Sequence, residues 1–99
     1  MANIEIYTQS TCPFCVRAKG LLDELELPYT EYEVSYDREK QAEMISRSQR
    51  YTVPQIFIDD RSIGGSDELF ELVESGKFQQ LLNPNSLSHN PDPEINSRV

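Results

Sequence analysis

The chain is short of the residues that several specialised folds and partners require. Among 99 residues there is no tryptophan, one histidine, four glycines and two cysteines. Two cysteines cannot form a disulfide framework, so a reducing compartment and a core-stabilised fold are expected. No apolar run approaches the roughly 20 residues needed to span a bilayer. The opening residues show neither a signal-peptide nor a basic transit-like pattern, so a soluble cytoplasmic protein without membrane contact is expected. Positive charge is scarce as well: nine Lys and Arg against 17 Asp and Glu leave a formal net charge of −8. Non-specific nucleic-acid binding needs a basic patch that displaces counterions, so nucleic acid is not an expected partner. With 37% hydrophobic and 26% charged residues, the composition suits one domain with a single core.

The two cysteines sit close together, in Cys12-Pro13-Phe14-Cys15. A disulfide closing so short a loop removes little entropy from the unfolded chain, which favours reversible chemistry over a structural staple. The motif follows a strand-like run (Ile4, Ile6, Tyr7) and opens a helix-like run from Val16 to Leu25. Thr11 is suited to cap that helix, and Pro13 fits the first turn, where its missing N–H costs nothing. Cys12 then lies at the positive end of the helix dipole, beside backbone N–H groups that favour an anion. A free thiol is only about 3% ionised at pH 7, whereas C-x-x-C thiols at helix starts are much more acidic. Cys12 is therefore the expected nucleophile, and Cys15, about one turn on, the less exposed resolving thiol. The competing readings are a zinc half-site and two inert core cysteines. Four-coordinate zinc needs two more ligands, and the sole histidine, His89, lies in a polar tail, so no metal is expected.

Strand and helix signals alternate through residue 82. Asn3 to Tyr7 reads as a buried strand, and Pro13 to Glu26 as a helix with Ala18, Leu21, Leu22 and Leu25 on one face. Tyr29 to Val34 alternates as a half-buried strand. Asp37 caps a second helix running to about Ser48, with Ala42, Met44 and Ile45 as its apolar face. Gln55 to Asp59 and Ser62-Ile63 form a hairpin around a tight turn. Ser66 or Asp67 starts a third helix, carrying Leu69, Phe70, Leu72 and Val73, which Gly76 stops. Phe78, Leu81 and Leu82 suggest a further helical turn or two. The order β-α-β-α-β-β-α calls for an α/β fold: a mixed four-stranded sheet with helices on both faces. Residues 1–82 form the expected domain. Residues 83–99 hold three of the six prolines and few large apolar groups, so a disordered tail is expected.

Two further stretches bear on the electron donor. Thr52-Val53-Pro54-Gln55 puts a proline immediately before a strand, which fits either an edge-strand start or a cis bond that turns the preceding backbone toward a ligand. Gly64-Gly65-Ser66-Asp67 leads into a helix N-terminus, where N–H groups suit a carboxylate but plain turn and cap chemistry fits equally well. Taken together with CPFC at 12–15, TVPQIFI at 52–58 and GGSD at 64–67 resemble the dithiol glutaredoxin family, over roughly residues 3–82. The resemblance implies a thioredoxin-like fold, a cis bond before Pro54, and glutathione as the reducing co-substrate. It also implies Cys12 as the attacking thiolate and Cys15 as the resolving cysteine. Phe14 would flank the glutathione groove, and the Thr52-Val53-Pro54 segment would pair with the cysteinyl part through Val53. Gly65, Ser66 and Asp67 match the segment that holds the γ-glutamyl end, with Asp67 facing its ammonium group.

One position departs from the pattern. Many relatives carry a lysine three residues before the first cysteine, and this chain has Gln9. A neutral amide binds a carboxylate less strongly than a cation does, so weaker glutathione capture is expected unless another cation substitutes. Arg50 is the preferred substitute, then Arg47, with Arg17 as an outside choice; a solvated surface role competes for each. The expected activity is glutathione-dependent reduction of protein–glutathione mixed disulfides and protein disulfides by a monomer. The alternatives are a redoxin fed by a thioredoxin-type reductase, which has less use for Ser66-Asp67, and a glutathione-ligated iron–sulfur carrier, which Pro13 disfavours.

Overall fold

The computed structural model describes residues 3–82, so the segment expected to be a disordered tail lies outside the described residues. The elements run β1 (Ile4–Thr8), α1 (Pro13–Glu24), β2 (Thr30–Glu33), α2 (Arg38–Ser48), β3 (Gln55–Ile58), β4 (Arg61–Gly64), α3 (Ser66–Ser75) and α4 (Lys77–Leu82). The strands form one sheet in the order β2-β1-β3-β4. β1 and β2 are parallel, whereas β1–β3 and β3–β4 are antiparallel. This is the expected mixed four-stranded sheet.

Strand position follows from residue type. The two central strands, β1 and β3, are buried at every residue, whereas β2 (Thr-Glu-Tyr-Glu) is an edge strand with only Tyr32 partly covered. Side chains alternate across the sheet, so Ile4, Ile6, Ile56 and Ile58 share one apolar cluster with Ala18, Leu22, Leu69 and Phe78 from the helices. Tyr7 and Phe57 point the other way and pack with Val34 and Met44. Three helices, α1, α3 and α4, thus cover one face and α2 covers the other.

Several boundaries differ from expectation for local reasons. α1 stops at Glu24: the Glu26 N–H turns back to the Asp23 carbonyl with Glu26 at φ 58°, before Pro28 is reached. The anticipated Ala42 contact is absent because Ala42 is exposed and α2 buries only Met44 fully. Ile45, Tyr32 and Val53 pack at the margin of that face, and polar side chains, described below, close the rest. Gly76 ends α3 at φ 82°, a left-handed conformation that glycine adopts without penalty.

Candidate active site

The cysteine pair sits where β1 hands over to α1. Cys12, not Thr11, is the N-cap of α1, and Pro13 takes the first helical position. Thr11 is exposed, and the capping role falls to sulfur: the Cys15 N–H donates to Cys12 Sγ at 3.1 Å. The Cys12 N–H donates in turn to the Gln9 carbonyl at 3.3 Å, which fixes the turn into the helix. No disulfide joins the pair: both cysteines are free thiols, Cys12 half-buried and Cys15 buried at 1% exposure. Burial raises the Cys15 thiol to about 12, with further contributions from its contact with Cys12 and that neighbour's negative charge. One sulfur is open to solvent and the other is held as a neutral thiol.

Opposite the sulfur lies the segment before β3. The Val53–Pro54 peptide bond is cis, as the resemblance implies. The Cys12 thiol faces the Val53 carbonyl at 3.7 Å. This segment is held from below by Gln55, whose amide nitrogen donates to the Thr52 carbonyl at 3.0 Å and to the Thr52 hydroxyl at 3.2 Å. Gln55 is fully buried, and its Oε1 has no hydrogen-bond partner.

The far wall is the start of α3. Gly65 is its N-cap, and Ser66 is its buried first residue. Phe14, Thr52, Val53, Pro54, Gly65, Ser66, Asp67 and Glu68 together line an open groove of about 160 Å³. Phe14 is about half exposed, at 52%, and Asp67 is exposed. The Ser66 hydroxyl oxygen is buried without a partner, an unsatisfied group in the groove wall. A Cβ at Gly65 would lie 3.1 Å from the Pro54 carbonyl oxygen, so the two walls approach closely here and a side chain would push them apart by a few tenths of an ångström. A larger cavity of about 460 Å³ lies under α4, lined by Ile58, Arg61, Leu72 and Leu81. Ile58 pairs with Ile4 at the start of β1, so that cavity is at the opposite end of the sheet from Cys12.

The structure thus brings together all the expected residues of the two motif segments and the CPFC turn. The basic candidates fare differently. Gln9 is exposed beside the cysteine turn. Arg47 is engaged elsewhere: its guanidinium pairs with Glu5 at 2.9 Å and Asp60 at 3.2 Å and lies 4.0 Å from the Phe57 ring centre, under α2. It cannot stand in for the missing lysine. Arg17 lies 4.8 Å from the Phe70 ring centre. Arg50 alone of the three meets the groove wall, through Glu68 Oε2 at 3.3 Å. Glu68 and Gln55 were not among the expected site residues. Glu68 was legible as the acidic residue three positions after a helix cap, whereas nothing local marks Gln55 as buried.

No group of His, Cys, Asp or Glu able to hold a metal ion occurs among the described residues, and no helix among them is long and apolar enough to cross a membrane.

Residues 4–63 match the family model described as Glutaredoxin. The chain is 50% identical to glutaredoxin 3 of Escherichia coli over 82 residues, which cover 83% of this chain and 99% of the relative. It is 46% identical over 82 residues to a probable glutaredoxin of Synechocystis, covering 82% of this chain and 93% of that protein. The solution structure of glutaredoxin from Brucella melitensis superposes with a TM-score of 0.73 at 44% identity, over 83% of this chain and 89% of the other. A crystal structure of a buckwheat glutaredoxin–glutathione complex gives a TM-score of 0.75 at 28% identity, over 84% and 78%. With sequence and backbone agreeing along nearly the whole length of bacterial relatives, the chain belongs to the glutaredoxin family, enzymes of thiol–disulfide exchange on a thioredoxin-like fold.

Proposed function

We propose that this chain is a cytoplasmic, monomeric, glutathione-dependent reductase of protein–glutathione mixed disulfides and of protein disulfides, with residues 1–82 as its functional domain. The observation that carries this reading is the groove itself. It begins at the Cys12 sulfur and the Val53 carbonyl and ends at an α3 N-terminus whose Ser66 hydroxyl lacks a partner. A peptide-like thiol laid along it meets a backbone acceptor beside the reactive sulfur and polar groups at its far end. Asp67 faces the γ-glutamyl ammonium, Ser66 takes the γ-glutamyl carboxylate, and Thr52, Val53 and Phe14 border the cysteinyl part. Gly65 contributes room rather than a donor, since its N–H is already bonded to Glu68.

The Cys12 thiolate attacks the glutathione sulfur of a mixed disulfide. A Cys12–glutathione bond forms, the original disulfide breaks, and the protein thiolate leaves. A glutathione thiolate then attacks that new bond, restoring Cys12 and releasing oxidised glutathione. The Cys15 N–H aimed at Sγ and the start of α1 place a hydrogen-bond donor and the positive end of a helix dipole beside the attacking sulfur. With a protein disulfide, Cys12 attacks first. Cys15 then loses its proton and displaces the second protein thiolate, closing the Cys12–Cys15 bond, which two glutathiones reopen. A glutathione-coupled assay on both substrate types tests the division of labour. Cys12→Ser should abolish both activities, while Cys15→Ser should keep de-glutathionylation and lose disulfide reduction. Equal loss in the two variants refutes it, and turnover with a thioredoxin-type reductase in place of glutathione refutes the choice of donor.

A further inference from the structure

Glu68 occupies a place the chain has made for it. Its carboxylate accepts the Gly65 N–H at 2.7 Å through Oε1 and the Arg50 guanidinium at 3.3 Å through Oε2. Gly64 sits at φ 101°, and a Cβ there would fall 2.8–2.9 Å from Glu68 Cγ, Cδ and Oε1. The positive φ favours glycine at 64, and a side chain there would displace the Glu68 carboxylate from its present place. Arg50 lies two residues before the Thr52–Pro54 wall and Glu68 belongs to the α3 wall, so their contact links the segments that carry the two walls. Among the described residues it is the only ion pair that includes a groove-lining residue.

We infer that Glu68 is a built-in competitor for a glutathione carboxylate, holding Arg50 beside the groove until a ligand displaces it. This rests on the glutathione reading above. Two effects oppose each other here. Holding Arg50 in place helps a ligand, but an exposed ion pair orders its partners only weakly, with Arg50 and Glu68 side chains 46% and 41% exposed. Occupying Arg50 with another carboxylate withholds a charged hydrogen bond, and those are about twice as strong as neutral ones. Glu68 also adds negative charge beside Asp67, against a ligand that itself carries net negative charge. Competition therefore outweighs positioning. It also accounts for a chain that has Gln9 in place of a lysine yet does not present Arg50 freely.

The test is Glu68→Gln, which keeps an oxygen for the Gly65 N–H while removing the charge. Its KM for glutathione should fall by roughly three- to tenfold, with kcat moving less. The double variant Arg50→Gln/Glu68→Gln should lose that gain, and so should the single variant assayed with a glutathione mono-ester lacking the carboxylate that Arg50 takes; mono-esters at each end are compared. A KM unchanged or raised in Glu68→Gln, or a gain that survives in both esters, overturns the inference and leaves the glutathione reading intact. Absence of glutathione turnover in the wild type overturns both.

Discussion

The two faces of the sheet are closed by different means. Under α1, α3 and α4 the contacts are apolar, with Ile4, Ile6, Ala18, Leu22, Ile56, Leu69 and Phe78 in one cluster. Under α2 there are four buried hydrophobic residues with Tyr32, Ile45 and Val53 packed against them, and a polar network adjoins this smaller cluster. There Arg47 donates to Tyr7 Oη at 2.7 Å and pairs with Glu5, the Tyr7 hydroxyl donates to Glu43, and Tyr32 donates to Glu5 at 3.0 Å. The candidate site is built on the first face. Cys12 and the Gly65–Glu68 wall stand at the starts of α1 and α3, and these two helices share Ala18, Leu22 and Leu69 in one core. Apolar packing, which involves no ion pair, thus fixes the distance between the Cys12 sulfur and the groove wall. The larger charge network lies on the other face, under α2.

The largest effect that sharpens this contrast is Leu22→Ala. Leu22 is fully buried at the centre of the first cluster, and truncation there should lower unfolding free energy by about 2–5 kcal/mol. Denaturant titrations at pH 7 and near pH 4 should give the same loss, since no charge is involved. Arg47→Gln should cost less, about 1–3 kcal/mol, because Glu5 is left partly buried without its cation. That loss should shrink in acid. Arg47, the largest influence on Glu5, holds its carboxyl below the ordinary 4.5, so the stabilisation is complete above that value and is lost as pH falls through the lowered one. Equal shrinkage of both losses in acid would break the distinction between the faces.

Much of this was legible in the sequence because it was local. The strand runs, the Asp37 cap, the Gly76 stop and the CPFC turn each depend on a few neighbouring residues, and all appear where expected. Sulfur as the cap of α1 was missed because cysteine is not an ordinary capping residue, and Thr11 was the better candidate by type. The fate of the arginines was illegible for a different reason. Arg47 and Arg50 are three residues apart on the chain, yet one pairs with Glu5 and the other with Glu68, partners 42 and 18 positions away. Side chains that reach across a fold carry no periodic signal. The same holds for Gln55, a polar residue in an apolar strand whose role depends on the Thr52 carbonyl above it.

The smallest effect lies at the alkaline end, where each face contributes one titrating group. Burial raises Cys15 on the first face to about 12 from 9.0, and burial together with the Glu43 contact raises Tyr7 on the second to about 12 from 10.0. The folded state therefore keeps both protons over a range in which the unfolded chain loses them, so stability should fall as pH rises. The Cys15 contribution begins first, near its unfolded value of 9.0, and amounts to about 1 kcal/mol by pH 9.5. The Tyr7 contribution follows about one pH unit later. In unfolding titrations on reduced protein from pH 8 to 11, Cys15→Ala should flatten the early part of the decline and Tyr7→Phe the later part. If Cys15→Ala left the profile between pH 9 and 10 unchanged, the second thiol would not be the buried, protonated group that the proposed division of labour requires.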